Sequence, residues 1–303
     1  MSRMRTESPN VAAMRSIRSK RGIPRASSAL ILPAAMVMGA VVIYPILTTM
    51  WLSLTDAPLI SLSSPSFTGL SNYVDWLSNP EFWRSLWVTL VYTFGVTVGS
   101  YAIGLATAML LNVEFPGRAI LRGLVLLPWA IPEVASVMTW NWMLDYQFGI
   151  VNSLLGSRIG WVTDSAVAPW TVTMVTIWKQ FPLATVVLLA GLQAIPRELY
   201  EASNVDGASR LQQFIYVTLP GLRPVNSVLI MMLILYTFKR ISIIYLLTGG
   251  GPARATEILP VTTYLEAFKY FRLGSASAVG ILALLFTLVI TLVYSRLFMR
   301  EEA

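Results

Sequence analysis

Six apolar runs of about twenty residues divide this chain, and a helix needs about that length to cross a hydrocarbon core of about 30 Å. They cover Ala29 to Leu54, Leu86 to Leu111, Gly123 to Met143, Val167 to Leu192, Val225 to Leu247 and Ser275 to Ser295. Lipid offers backbone amides no partner, so each run must fold largely as helix. The expected fold is an all-α membrane protein with about six transmembrane helices, residues 29–303 forming one polytopic domain. Charged residues make up only 12% of the chain, whereas soluble domains carry roughly 25%. The third run is interrupted by Pro128, Pro132 and Glu133, and the fourth carries Lys179 and Pro182. A proline in a membrane helix frees a carbonyl that a neighbour must satisfy, so these two spans are expected inside the bundle.

Loop charge sets the orientation. Arg3, Arg5, Arg15, Arg18, Lys20, Arg21 and Arg25 precede the first span, Arg118 and Arg122 follow the second, Arg197, Arg210 and Arg223 follow the fourth, and Arg296 and Arg300 follow the sixth. The alternate loops hold only Arg84, Arg158, Arg254, Lys269 and Arg272. Fourteen basic residues against five place both termini in the cytoplasm. Residues 1–28 lack the apolar core and cleavage site of a signal peptide and read as a basic cytoplasmic tail. Asp56 to Ser85 and Leu144 to Ala166 become external loops, with Trp76, Trp83 and Trp161 as interfacial anchors. The net charge of +7 is thereby explained by topology, and no nucleic-acid partner is expected.

The chain has no Cys and no His, which removes thiol nucleophiles, Ser-His-Asp triads and zinc sites of the Cys/His kind. A catalytic site and a metal site are not expected.

One cytoplasmic segment does not look like a linker. Residues 195–224 read IPRELYEASNVDGASRLQQFIYVTLPGLRP. Pro196 followed by Glu198 and Glu201 predicts a short helix to Val205, because early acids complement the helix dipole. Asp206-Gly207 supplies a break, and Ser209 can cap a second helix that Pro220 and Pro224 end. In that helix Leu211, Phe214, Ile215 and Thr218 fall at i, i+3, i+4 and i+7, an apolar face. Two short helices around a tight turn make a knob shaped to dock; the plainer account is a pair of helices resting on lipid headgroups.

These residues also carry a resemblance. Glu201-Ala202-Ser203, three residues, Gly207, nine residues, then Val217, Thr218 and Leu219-Pro220 resemble the Glu-Ala-Ala loop of permease subunits of bacterial ATP-binding-cassette importers. Ser203 and Val217 stand where the pattern has Ala and Ile. Trp178-Lys179 with Pro182, Leu189-Ala190-Gly191-Leu192 and Tyr245 to Pro252 are similar to the carbohydrate-uptake, maltose-type branch, as are Trp140, Trp142, Gly149 and Asn152. Where that branch often has Phe-Lys, one residue, Phe-Asp, this chain has Phe238-Lys239, Arg240, Ile241-Ser242, which leaves Arg240 without an obvious mate.

The resemblance implies an inner-membrane importer with a second permease subunit, two ATPase subunits and an extracytoplasmic binding protein that delivers a sugar-like solute. ATP and Mg would bind the partner ATPase, and this chain would bind no cofactor. It has no Gly-Lys-Ser/Thr phosphate loop of its own. Glu201, Ala202, Asp206, Gly207, Leu211, Phe214, Ile215, Leu219 and Pro220 would form the ATPase-coupling loop. Shifting a two-state equilibrium from 1:99 to 99:1 takes about 5.5 kcal/mol, and one exposed ion pair supplies roughly 0–1 kcal/mol. Glu201 alone cannot drive such a gate, so the apolar residues of the loop must contribute.

For the solute path the candidates are Glu133, Trp140, Asn141, Trp178, Lys179, Tyr236, Lys239 and Arg240: charges in lipid face a bundle interior or water, aromatic faces pack on sugar rings, and amides bond hydroxyls. Lys239 and Arg240 would also suit an anionic sugar. The plainer account makes the cations caps for carbonyls or partners of the second subunit, and Trp140 and Trp142 interfacial anchors. Two rivals remain: a secondary transporter or channel subunit, which needs no cytoplasmic knob, and a membrane enzyme using Glu133 and Asp145 as paired carboxylates.

Overall fold

The computed structural model describes residues 32–33, 36–60 and 65–298; the expected tail over 1–28, the first residues of the first span and Arg300 lie outside them. Residues 1–51 and 52–303 form separate units. The described part of the first span is the helix Met36–Ser53 (α1), which contains a π-helical turn at Gly39–Ile43.

From Leu52 onward the described residues are helices and turns with two isolated β-bridges and no strand. Ser71–Ser78 (α2) leads into Pro80–Asn112 (α3), the second span, capped by the Asn79 side chain on the Glu81 amide. The third span is two helices, Arg118–Ala130 (α4) and Glu133–Met143 (α5), bent by 93°. Ile150–Leu155 (α6) follows, then the fourth span Ala168–Ala194 (α7), in which Pro182 is accommodated without a break. Arg197–Val205 (α8) and Arg210–Gly221 (α9) form the loop knob. Arg223–Phe238 (α10), Ser242–Thr248 (α11), Leu259–Tyr264 (α12) and Leu273–Phe298 (α13) complete the chain.

Two expectations are corrected. The fifth span is not continuous over Val225–Leu247: Lys239, Arg240 and Ile241 interrupt it between α10 and α11. Pro220 does not end the second loop helix, because it sits in its last turn, after a π-helical turn at Phe214–Thr218; the chain swings by 71° only at Leu222. Pro224 starts the next helix, where its missing N–H costs nothing.

The bundle is organised around α3 and α7. A Cβ on Gly95 would touch Thr173, one on Gly99 would overlap Ile177, and one on Gly104 would lie 2.6 Å from the Ala184 Cβ, so residue numbers rise together along both helices. Spans two and four therefore run parallel, as alternating crossings require. Close approach through small residues is what holds membrane helices together, because lipid provides no hydrophobic drive between them. Tyr92 Oη to Thr176 Oγ1 at 2.9 Å adds a buried hydrogen bond across the same seam. Below it, Leu188, Leu192, Leu222, Leu229 and Leu233 pack α7 against the start of α10.

Candidate functional site

At the loop, Gly207 takes φ +76°, a left-handed conformation that L side chains reach only with strain, and its amide closes the turn onto the Asn204 carbonyl. The next helix begins with a full capping box: Ser209 Oγ accepts from the Gln212 amide, and Gln212 Oε1 accepts from the Ser209 amide. Two bonds lock α8 to α9, Gln213 Nε2 to Asn204 Oδ1 at 2.5 Å and Tyr200 Oη with Thr218 Oγ1 at 3.0 Å.

The inner side of this knob is anchored, since Leu222 is wholly buried beside Gly191 and Val225. The outer side carries Glu201, Ala202, Asp206 and Pro220, all exposed, with Leu219 and Phe214 half-buried. Apolar groups share that surface: Val205 is 88% exposed, Leu211 67% and Ile215 43%. Val205 and Tyr216, also exposed, lie outside the i, i+3, i+4, i+7 pattern of the second helix, Val205 because it ends the first helix two positions before Gly207.

Deep in the spans, the candidate path residues fall into small groups. The Pro128 carbonyl lies in the last turn of α4, which ends at the extended Ile131, and Lys179 Nζ donates to it at 2.8 Å. The same ammonium bonds the Ile131 carbonyl and reaches Ser136 Oγ at 3.5 Å, so Lys179 stitches the 93° bend to α7. Across the bend, Glu133 at the start of α5 pairs with Arg240 at 2.5 Å, with side chains only 29% and 22% exposed. Arg240 thus has a mate, supplied from more than a hundred residues away. The pairing also removes the enzyme rival's geometry. Glu133 and Asp145 lie at opposite ends of α5, about 18 Å apart at about 1.5 Å per residue, and Asp145 accepts from the amides of Gln147 and Phe148.

Trp140 and Trp178 meet edge-to-face with centroids 5.5 Å apart, and Asn141 Nδ2 donates to the Leu246 carbonyl at 3.3 Å. Tyr236 and Lys239 meet each other, the ammonium 5.0 Å from the ring centroid, and make no hydrogen bond, ion pair or ring contact with the other candidates among the described residues. Sequence reasoning missed Gln180, which is buried and donates to the Leu233 carbonyl and Thr237 Oγ1. An amide in an apolar run was the available signal.

At the opposite end of the helices from the 195–224 loop lies a cavity of about 530 Å³ walled by α2, the start of α3, the Gly249–Gly251 turn and residues 254–275. Glu257 and Glu266 are buried in its wall. Arg254 grips both oxygens of Glu257 at 2.7 and 2.8 Å and also pairs with Glu81. Burial works against the Arg254 charge, but these carboxylates outweigh it and hold the guanidinium above its ordinary value. Glu266 accepts from Arg272 at 2.8 Å and from Ser275 Oγ, which in turn accepts from Trp76 Nε1.

The family described as "Binding-protein-dependent transport system inner membrane component" matches residues 95–300, which include α4 to α12 and the whole loop knob. The chain belongs to that family. As a permease it is 39% identical over 272 residues to the trehalose/maltose transport system permease protein MalF of Thermococcus litoralis, across 88% of this chain and 90% of that protein. It is 31% identical over 278 residues to the sulfoquinovosyl glycerol transport system permease protein SmoG of Agrobacterium fabrum, with 90% of each covered. A chain from the crystal structure of a bacterial ABC transporter involved in the import of the acidic polysaccharide alginate shares the fold. Its TM-score is 0.79 at 22% identity, over 92% of this permease and 96% of that chain.

Proposed function

We propose that this permease is one of two that line the translocation path of an ATP-driven importer for a sugar or sugar-like solute. An external binding protein delivers the solute, and two partner ATPase subunits bind ATP and Mg and hydrolyse the nucleotide. The chain lies in the inner membrane with both termini cytoplasmic, as its loop charge requires. The sugar class is supported by the relatives named for trehalose/maltose and sulfoquinovosyl glycerol transport.

The observation that carries the coupling role is the construction of the 195–224 knob. Its outer surface is exposed and mixed, carrying Glu201, Val205 and Leu211, while its inner side is locked by Tyr200–Thr218 and buried Leu222. A push on α8 and α9 therefore cannot be absorbed by the loop itself. It passes through the Leu222 bend into α10, whose far end meets Arg240 and, through the ion pair, the broken third span. Alternating access would use this lever, with the two interrupted spans as the elements that change angle. Membrane proteins tolerate interrupted helices where they are buried in protein or line a water-filled cavity.

The test is ATP hydrolysis by the purified four-subunit assembly in proteoliposomes, with and without its loaded binding protein. Glu201→Ala and Gly207→Asp are expected to assemble yet lose the stimulation. Stimulation retained in both variants, or solute flux that needs no ATP, overturns the reading and favours a secondary transporter or channel.

A further inference from the structure

Where the third span begins, Arg118 and Arg122 stand one turn apart in the first turns of α4. Among the described residues neither side chain makes a hydrogen bond or an ion pair. The Nε of each is nevertheless covered, and no other charged side chain among the described residues has a covered nitrogen without a partner. A buried donor left unpaired is costly, the more so on a charged group, and a bound ion is one of its ordinary explanations. The position on the helix adds to the cost. The helix dipole already places positive charge at this end, the first turn holds no acid, and Gly117 offers no side-chain cap. Glu114, just before the turn, is exposed and pairs with neither arginine. An anion between the two guanidiniums would satisfy the covered donors and offset both charges.

The pair lies at headgroup level. Spans two and four run parallel, so the end of α3 at Asn112 and the end of α7 at Ala194 share the side of the bundle that carries the 195–224 loop. Arg118 follows Asn112 after a short turn, and α4 then runs into the membrane as far as Pro128, whose carbonyl Lys179 bonds. The face that starts with Arg118 and Arg122 continues at i+8 and i+11 with Leu126, half-buried, and Trp129, 58% exposed. Trp129 stands about 16 Å along the axis from Arg118, close to the depth of one leaflet in a hydrocarbon core of about 30 Å. Cations at the rim with apolar surface beyond them for one leaflet match a phospholipid better than a soluble anion.

We propose that Arg118 and Arg122 bind the phosphate of an anionic phospholipid headgroup, and that its acyl chain follows Leu126 and Trp129 along α4. Guanidinium forks suit the phosphate oxygens. The lipid holds the start of the broken third span at the membrane surface. This inference needs only that the chain spans a membrane, and it stands or falls separately from the importer reading.

The test uses the whole assembly, purified in detergent, stripped of lipid and titrated with phosphatidylglycerol or phosphatidylcholine, the bound lipid being counted by native mass spectrometry. Arg118→Gln with Arg122→Gln is expected to weaken the tightest phosphatidylglycerol site about thirtyfold, the effect of two lost cations, and to leave phosphatidylcholine binding unchanged. Each single substitution is expected to weaken it about fivefold, which serves if the double variant does not assemble. Arg223→Gln with Arg296→Gln removes the same charge from two exposed arginines at the same side of the bundle, and is expected to change the affinity by less than about threefold. Wild-type affinity in the Arg118/Arg122 variant overturns the proposal, and ATPase subunits lost at the same time would assign the pair to a carboxylate of that partner. An equal loss in the Arg223/Arg296 variant overturns it by making the attraction diffuse. Displacement of the lipid by an equal concentration of inorganic phosphate overturns it by making the ligand a free anion.

Discussion

Replacing Lys179 by Met tests whether its ammonium is a structural stitch across the broken third span. The substitution keeps most of the volume and removes every donor. Two carbonyls, Pro128 and Ile131, lose the partner that Lys179 provides, at about 1–3 kcal/mol for each polar group left unsatisfied. Part of this is regained, because the ammonium no longer has to be stripped of water, a penalty of several kcal/mol in a dry site. The expected net loss is about 2 kcal/mol, or roughly 4–8 °C at about 2–4 °C per kcal/mol, read as the unfolding midpoint of the detergent-purified complex. A second substitution isolates the cause. Lys179→Arg keeps hydrogen-bond donors at the same place, so it should retain more stability than Lys179→Met. A Lys179→Met protein as stable as wild type, or a Lys179→Arg protein no more stable than Lys179→Met, would refute the reasoning.

The Glu133–Arg240 pair should show coupling in a double-mutant cycle. Glu133→Gln or Arg240→Gln alone leaves one partly buried charge unmatched, so the double variant should recover about 0.5–3 kcal/mol over the summed single effects, measured by thermal unfolding. Gly104→Leu should destabilise by about 1–3 kcal/mol, because its side chain would meet the Ala184 Cβ and the Thr185 amide; an unchanged midpoint would mean that α3 and α7 do not pack so closely. In the segment after the first span, the Ser66 hydroxyl and amide hold the Asp56 carboxyl below its ordinary 3.8. A depressed carboxyl pKa stabilises above the unfolded value and loses that contribution as pH falls through the folded one. Amide exchange over residues 54–60 and 65–68 should therefore gain an acid-induced opening below about pH 4, and Asp56→Asn should abolish its pH dependence.

The second, fourth and sixth spans and the two-helix loop were legible because period and length are local properties. The Ser209 cap and the Gly207 turn were equally local, each announced by a residue type with one strong conformational preference. What stayed hidden depended on partners distant in sequence. Arg240 looked unmated because the expected acid three residues before Tyr245 is Ser242, while its real partner Glu133 enters from another span. The fifth run stayed apolar through most of its length, so nothing in its hydropathy distinguished a broken helix from a whole one. Only the adjacent charges of Lys239 and Arg240 marked the place, and in retrospect two cations side by side in a span are a signal for interruption. Pro220 was read as a terminator on its covalent chemistry, but its neighbours let the ring fit into a last turn whose hydrogen bonds had already shifted to the wider π pattern.

The central claim is that residues 195–224 deliver the action of an ATPase to this permease. Val205 is the most exposed apolar residue of the knob and stands two positions before its turn, so a single thiol introduced as Val205→Cys is the most direct probe. Membranes carrying this variant with its partner subunits would be treated with a short photoactivatable thiol cross-linker and the adduct identified by mass spectrometry. The account predicts an adduct with an ATP-binding subunit whose yield changes when ATP is added. A thiol that cross-links only to lipid, in an assembly that still transports, would contradict it.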